Sequence, residues 1–159
     1  MEKASTEITK MPAGFYLVTT DTYQKELLTS NQASTATLSI HWETLPFLSL
    51  RENIQLGVPK HNRAKIFSYL QSVELSPLLL KKSKEDLSNI ERIKLQFVHF
   101  FLQEKEIFFL DQSCQEVTIS EKQWLLNFCH QLVEKKQRKV FLFSKDEQLI
   151  HIAFIDAVL

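Results

Sequence analysis

The stretch from Ile107 to Phe143 constrains the fold more than any other part of the chain. Ile107-Phe108-Phe109-Leu110 is a compact apolar run ending on Asp111. Its phenylalanines and isoleucine suit a strand buried on both faces. Ser120 followed by Gln123 has the spacing of a capping box, which predicts a helix start. In that helix Trp124, Leu125, Phe128, Cys129, Leu132 and Val133 form one wide apolar stripe. The basic run Lys135 to Lys139 closes it, favourably placed against the helix dipole. Val140 to Phe143 then reads as a second strand. Strand, helix and strand joined by short connections imply a right-handed parallel crossover and a three-layer α/β fold.

The remainder is consistent with that layering. Gly14 to Thr19 suits a strand, Tyr23 to Leu28 the start of a helix, and Ser30 to Thr35 a small polar loop. Thr37 to Trp42 alternates as a half-buried strand does. Leu50 to Leu56 is a helical turn stopped by Gly57 and Pro59. From Asn62 to Val73, Ile66, Phe67, Leu70 and Val73 fall on one helical face, and Pro77 ends the segment. Ser88 and Glu91 make another capping-box pair, opening a helix from Asn89 to about Gln103 on Ile90, Ile93, Phe97, Val98 and Phe101. Ile150 to Ile155 is expected to be a further strand.

Composition narrows the classes of function. The chain has 159 residues and formal charge +0, so it can bury one core, and no global field points to nucleic acid. Its apolar runs are far shorter than the roughly 20 residues that span a bilayer. Met1 to Met11 is polar and lacks a secretory apolar core, so a cytoplasmic location is expected. Cys114 and Cys129 are too few for a disulfide framework and read as reduced structural thiols. The five histidines, His41, His61, His99, His130 and His151, show no metal-ligand spacing, so no metal site is expected from them. No G-x-S-x-G occurs, and Cys114 has no nucleophile context. The basic run at Lys135 is not interleaved with aromatics, which favours a solvated helix end over nucleic-acid binding. Phe97, Phe100 and Phe101 cover more than one helix face, a surplus that suits docking to another protein. There are only two glycines, Gly14 and Gly57, and loops that cradle phosphate need more.

Leu87-Ser88-Asn89-Ile90-Glu91, a helix, and then Ile107 to Asp111 resemble the signature-to-Walker-B run of an ATP-binding-cassette (ABC) transporter ATPase. Ser49 to Gly57 resembles the segment after the family's Q-loop, although Trp42 and Glu43 fall where its glutamine is expected. Val140 to Asp146 resembles the strand leading to the switch histidine, and Ala153 to Leu159 the strand after it. The resemblance implies a shortened, P-loop-NTPase-like parallel sheet in a single domain, residues 1–159, with a helical arm at about 60–95. It also implies ATP and Mg2+ as the ligands of an intact site.

Laid over the phosphate loop, Val18 to Glu26 puts Lys25 in the lysine position, yet every glycine is missing. Threonines resist the backbone angles such a loop needs. Glu26 replaces the magnesium-binding hydroxyl, and Asp21 adds negative charge where phosphates would sit. Asp111 keeps the position that contacts magnesium through water, but Gln112 replaces the catalytic glutamate, and a neutral amide cannot act as base. Lys145 stands in the switch-histidine position and cannot substitute for an oriented imidazole. In the family the signature faces ATP held by another subunit, so Ser88 could offer its hydroxyl to a partner's nucleotide. Its role as a helix N-cap is sufficient to explain it.

These residues lead to the expectation of a pseudo-ATPase: a non-hydrolysing ABC ATPase-like subunit that is a structural or regulatory partner. It would dock on a transmembrane permease or pair with a catalytic ATPase subunit, at the cytoplasmic face of the membrane, with no nucleic acid involved. A dimer is a further expectation. Two other readings are an ATP-binding transport subunit that retains weak activity through Lys25 and Asp111, and an α/β protein-binding module unrelated to transporters.

Overall fold

A computed structural model describes residues 8–29 and 34–159. The start of the polar N-terminal segment and most of the loop expected at Ser30 to Thr35 lie outside the described residues. Five strands form one sheet in the order β2-β3-β4-β1-β5, with every pairing parallel. They are β1 (Gly14–Val18), β2 (Thr35–Leu38), β3 (Ile107–Leu110), β4 (Lys139–Phe143) and β5 (Ala157–Val158). The α-helices that lie wholly within the described residues are α1 (Asp21–Thr29), α2 (Leu50–Ile54), α3 (Ile66–Ser72), α4 (Asn89–Leu102) and α5 (Ile119–Lys136). The β3–α5–β4 crossover is the unit expected from Ile107 to Phe143.

Both faces of the sheet are apolar, which explains why β1, β3 and β4 read as continuous apolar runs. Phe15, Leu17, Ala36, Leu38, Phe108, Leu110, Val140 and Leu142 face the larger core under α4 and α5. Tyr16, Val18, Ile107, Phe109, Phe141 and Phe143 face a smaller core with Ile8 and Leu27. β2 is the exception: its Thr37 is exposed while Ala36 and Leu38 are buried, giving the alternation seen in its sequence.

The expected capping box at Ser88–Glu91 is complete, and a further one not read from the sequence forms at Ser49–Glu52. The helix after β3 opens two residues earlier than expected, because Thr118 and Glu121 form its box and Ser120 lies inside the first turn. β2 ends at Leu38, short of Trp42, because Gln96 intercepts the chain: its amide donates to the Ser39 carbonyl (2.6 Å) and its oxygen accepts from the Ser39 N–H (3.1 Å). The region from Asn62 begins as a 3-10 turn (Lys60–Lys65), and Phe67 points outward beneath Arg51 (5.2 Å) while Ile66, Leu70 and Val73 are buried. Two further 3-10 turns, Pro77–Lys81 and Lys84–Asp86, link α3 to α4.

The expected strand at Ile150 to Ile155 does not form. Asp146 caps a 3-10 turn over Glu147–His151, and pairing with β1 begins only at Ala157. Apolar residues there fill the core beside Phe15 and His130 instead of joining the ladder. Scarcity of glycine also shows in the backbone. Three helical segments end on non-glycine residues in the left-handed region, Glu74 (φ 59), Glu104 (φ 59) and Gln137 (φ 56).

Candidate nucleotide site

In open α/β sheets ligands bind outside the carboxyl ends of the strands. Here Val18 is level with Phe143 and Leu110 with Leu142, so Thr19, Ser144 and Asp111 leave β1, β4 and β3 at one edge, with Asp111 one position behind the other two. β4 lies between β1 and β3. The positions of the expected phosphate lysine, magnesium carboxylate, base and switch group therefore belong to one edge.

The joint between β1 and α1 consists of Thr19 and Thr20 alone. A phosphate cradle is built from consecutive backbone N–H groups that point at the anion. The Thr19 N–H instead donates to the Leu159 carbonyl (3.0 Å), as does the Thr19 hydroxyl (3.1 Å). Lys25 falls in the second turn of α1, four residues beyond Asp21, which opens the helix. Asp21 is the first residue of α1, and its carboxylate receives Lys145 at 3.0 and 3.1 Å. A helix N-terminus attracts an anion, and the chain supplies its own.

Asp111 is turned to a local task. Its carboxylate accepts the Ser113 N–H (2.9 Å) and the Ser113 hydroxyl, capping the 3-10 turn Gln112–Gln115. Ser113 also accepts the Ile40 N–H (3.1 Å), tying the end of β3 to the chain after β2. Gln112 is exposed at the start of this turn. Neighbouring Ser144 is buried and accepts the Asp146 N–H (3.1 Å). Trp42 is half-buried and Glu43 exposed. Among the described residues no group of three or more His, Cys, Asp or Glu could hold a metal ion. With a two-residue joint, a self-paired Asp21 and a capping Asp111, this edge does not fit a magnesium–nucleotide.

The signature residues sit at the start of α4. Leu87 and Ile90 are buried. Ser88 accepts the Glu91 N–H (3.3 Å), Glu91 accepts the Ser88 N–H (2.9 Å), and Lys82 lies 3.8 Å from the Glu91 carboxylate. Asn89 donates to the Glu116 carbonyl (2.8 Å), binding the helix start to the loop after β3. The anion that this N-terminus favours is thus also internal. Sequence reading missed Ser113 and Gln96, the two side chains that hold the edge in shape. The D-Q-S pattern, an Asx cap with a hydroxyl two residues on, carries the signal for the first. Nothing local signals the second.

The sheet order, the all-parallel pairing and the capped helix after Leu87 define a P-loop-NTPase-like α/β domain. Comparison with solved structures places the fold among ABC transporter ATPase cassettes. The ATP-binding cassette MJ0796, in a dimeric post-hydrolysis state bound to ADP and Pi, matches with TM-score 0.67 and 12% identity over 86% of this chain and 76% of its own. The cbiO1 protein of Clostridium perfringens, part of the ABC transporter complex cbiONQ, matches with TM-score 0.69 and 9% identity over 85% and 68%. A chain of a metal-chelate type ABC transporter in an inward-facing conformation matches with TM-score 0.70 and 12% identity, covering 84% of this chain and 63% of that one. The chain has the fold of these cassettes and spans 76%, 68% and 63% of the three matched chains. No family profile and no curated protein matches the sequence.

Proposed function

We propose that this chain is a non-hydrolysing ABC ATPase-like subunit that serves a partner, either a transporter permease or a catalytic cassette. One observation carries the reading: Asp21 and Lys145 pair with each other at the start of α1, where a cassette would hold phosphate. Gln112 in the base position and the Ser113-bound Asp111 support it, since a neutral amide cannot abstract a proton from water and Asp111 Oδ1 is already engaged by Ser113. An edge so arranged retains the scaffold of a cassette and lacks its chemistry.

Dependence on a partner has a second support. Four large apolar side chains between residues 45 and 67 are exposed: Leu45, Phe47 (78%), Leu56 and Phe67. This is the stretch that follows the Q-loop position, and none of its exposed residues contributes to the core. Surface apolar side chains gathered in one segment mark an interaction region. No helix among the described residues is long and apolar enough to cross a membrane, so membrane attachment would run through a partner.

Titration with a fluorescent ATP analogue and Mg2+, followed by a phosphate-release assay, tests the chemistry. The expected result is no saturable binding up to about 1 mM, weaker than ~4 kcal/mol, and no turnover. Turnover that disappears in Lys25→Ala would overturn the proposal in favour of an active subunit. Co-purification under mild conditions tests the partnership: recovery with a multi-span membrane protein or a second cassette is expected, and recovery only as a free monomer opposes it.

A further inference from the structure

The opposite edge of the sheet carries a cavity of about 270 Å³. Its walls are Tyr69 of α3, Phe101 of α4, and Phe128 and Leu132 of α5. The ring centroids of Tyr69 and Phe101 lie 5.4 Å apart and those of Phe101 and Phe128 6.2 Å apart, so the three rings pack against one another as a continuous aromatic wall of the hollow. Around the mouth stand Lys105, Lys135, Lys136 and Arg138. They come from three places: the lead into β3, the last turn of α5 and the lead into β4. Arg138 is 3.6 Å from the Glu106 carboxylate.

Two features decide what such a hollow takes. The cavity is smaller than the roughly 300–1,000 Å³ that enclose drug-sized ligands, and suits one large side chain. The cations are spread across separate elements, which fits several negative charges arranged along a chain better than one compact anion. Aromatic walls with a cationic rim reward an aromatic anchor flanked by carboxylates, through ring packing and charge complementarity together. Lysine stems can also lie along the anchor while their ammonium groups remain in water.

We infer that this hollow is a docking site for an acidic peptide segment of another protein, held by one aromatic side chain seated in the hollow against Tyr69, Phe101 and Phe128. The inference stands apart from the carboxyl edge and does not rest on the loss of nucleotide chemistry there. Lys135 and Lys136 have a dual role in it, stabilising the end of α5 and selecting the partner's charge.

The test uses the full chain and a fluorescein-labelled peptide with a central tryptophan flanked by aspartates and glutamates, followed by anisotropy at low salt. Binding in the range of about 1–100 μM is expected, weakening as salt rises. The same peptide with alanine for tryptophan, and one with lysines for the acids, should each bind at least about tenfold more weakly. The double variant Lys135→Glu/Lys136→Glu, and separately Ser72→Trp, which plugs the hollow from its exposed wall, should show the same loss, with circular dichroism confirming the fold. Equal binding of the alanine peptide, unchanged binding by either variant, or no binding at about 1 mM overturns the inference. Phenylacetate or phosphatidylglycerol vesicles binding as tightly as the peptide, with the same dependence on Lys135 and Lys136, also overturns it, in favour of a small acid or a lipid surface.

Discussion

At the carboxyl edge of the sheet, Asp111, Ser144 and Asp21 direct their polar atoms to Ser113, Asp146 and Lys145, whereas at the amino edge Lys105, Lys135, Lys136 and Arg138 ring an aromatic hollow. One edge satisfies its charges and hydrogen bonds from within the chain. The other holds cations near an apolar hollow. In open α/β sheets ligand chemistry sits at the carboxyl ends of the strands, so on the proposed reading the scaffold outlasts its site and the amino edge becomes a candidate for recognition.

The largest expected effect probes the support of the amino edge. Phe97 is fully buried and touches Phe101 (5.8 Å), Phe108 (5.7 Å) and Phe128 (5.1 Å), the last an edge-on contact. Phe97→Ala should cost about 3–5 kcal/mol in urea unfolding. It should also loosen Phe101 and Phe128, and weaken the acidic peptide more than a purely global loss of stability would. A loss below about 1 kcal/mol would mean that the aromatic cluster is not the keystone of the larger core.

Asp111→Ala examines the carboxyl edge. As a cap it leaves the Ser113 N–H without its acceptor and should cost about 1–2 kcal/mol. A carboxylate kept for binding magnesium behaves differently, since replacing a functional group held in a strained or unsatisfied state is often neutral or stabilising. Chemical denaturation therefore separates the two roles, and a gain in stability would return Asp111 to the nucleotide site.

The same contrast explains what could be read in the sequence. β3 and β4 were legible as compact apolar runs and α5 by its apolar stripe, and the Ser88–Glu91 spacing specifies a helix start locally. Ile150 to Ile155 misleads because its apolar residues are needed beside Phe15 and His130, a tertiary demand that no local pattern records. Missing glycines made the absence of a phosphate loop visible, yet the Asp21–Lys145 pair joins residues far apart in sequence and could not be seen until β1 and β4 were side by side. The basic hollow was hidden for a similar reason. Only Lys135 to Lys139 is contiguous, while Lys105 and the aromatic walls arrive from other elements.

Acidification should expose a further dependence between the edges. Burial holds His99 below its usual 6.5, opposed by its Nδ1 bond to the Ile54 carbonyl (2.6 Å) and assisted by the Lys105 charge on the amino edge. Below about 6.5 the unfolded chain's histidine takes up a proton that the folded one resists, so the unfolded state binds more protons. Stability should therefore fall as pH drops from near 6.5 toward the lowered folded value, and His99→Gln should flatten that slope. An unchanged pH profile of urea midpoints in the variant would remove His99 from the account.

A smaller gain is expected at Gln137, which ends α5 in a left-handed turn one residue wider than a Schellman motif: its N–H donates to the Val133 carbonyl and that of Arg138 to the Leu132 carbonyl (3.1 and 3.2 Å). Gln137→Gly should stabilise by roughly 0.5–1 kcal/mol, the left-handed strain relieved less the entropy glycine adds to the unfolded chain. Because Gln137 lies between Lys136 and Arg138, thermal melting with and without the acidic peptide tells whether the rim depends on this cap.

The smallest effect concerns the pair that most distinguishes the carboxyl edge. Lys145 and Asp21 are both largely exposed, so Lys145→Ala should change stability by only about 0.2–1 kcal/mol, and less in high salt. Its value lies in comparison with Asp21→Asn, which removes the internal anion and leaves both Lys145 and the α1 N-terminus facing the same space. If that carboxylate is what stands in for phosphate, Asp21→Asn should melt slightly higher in inorganic phosphate than in chloride of equal ionic strength, and the wild type should not. Adding Lys145→Ala to Asp21→Asn should abolish the difference. A phosphate effect of equal size in the wild type would show that the edge still admits an anion, and the contrast between the two edges would then be one of degree.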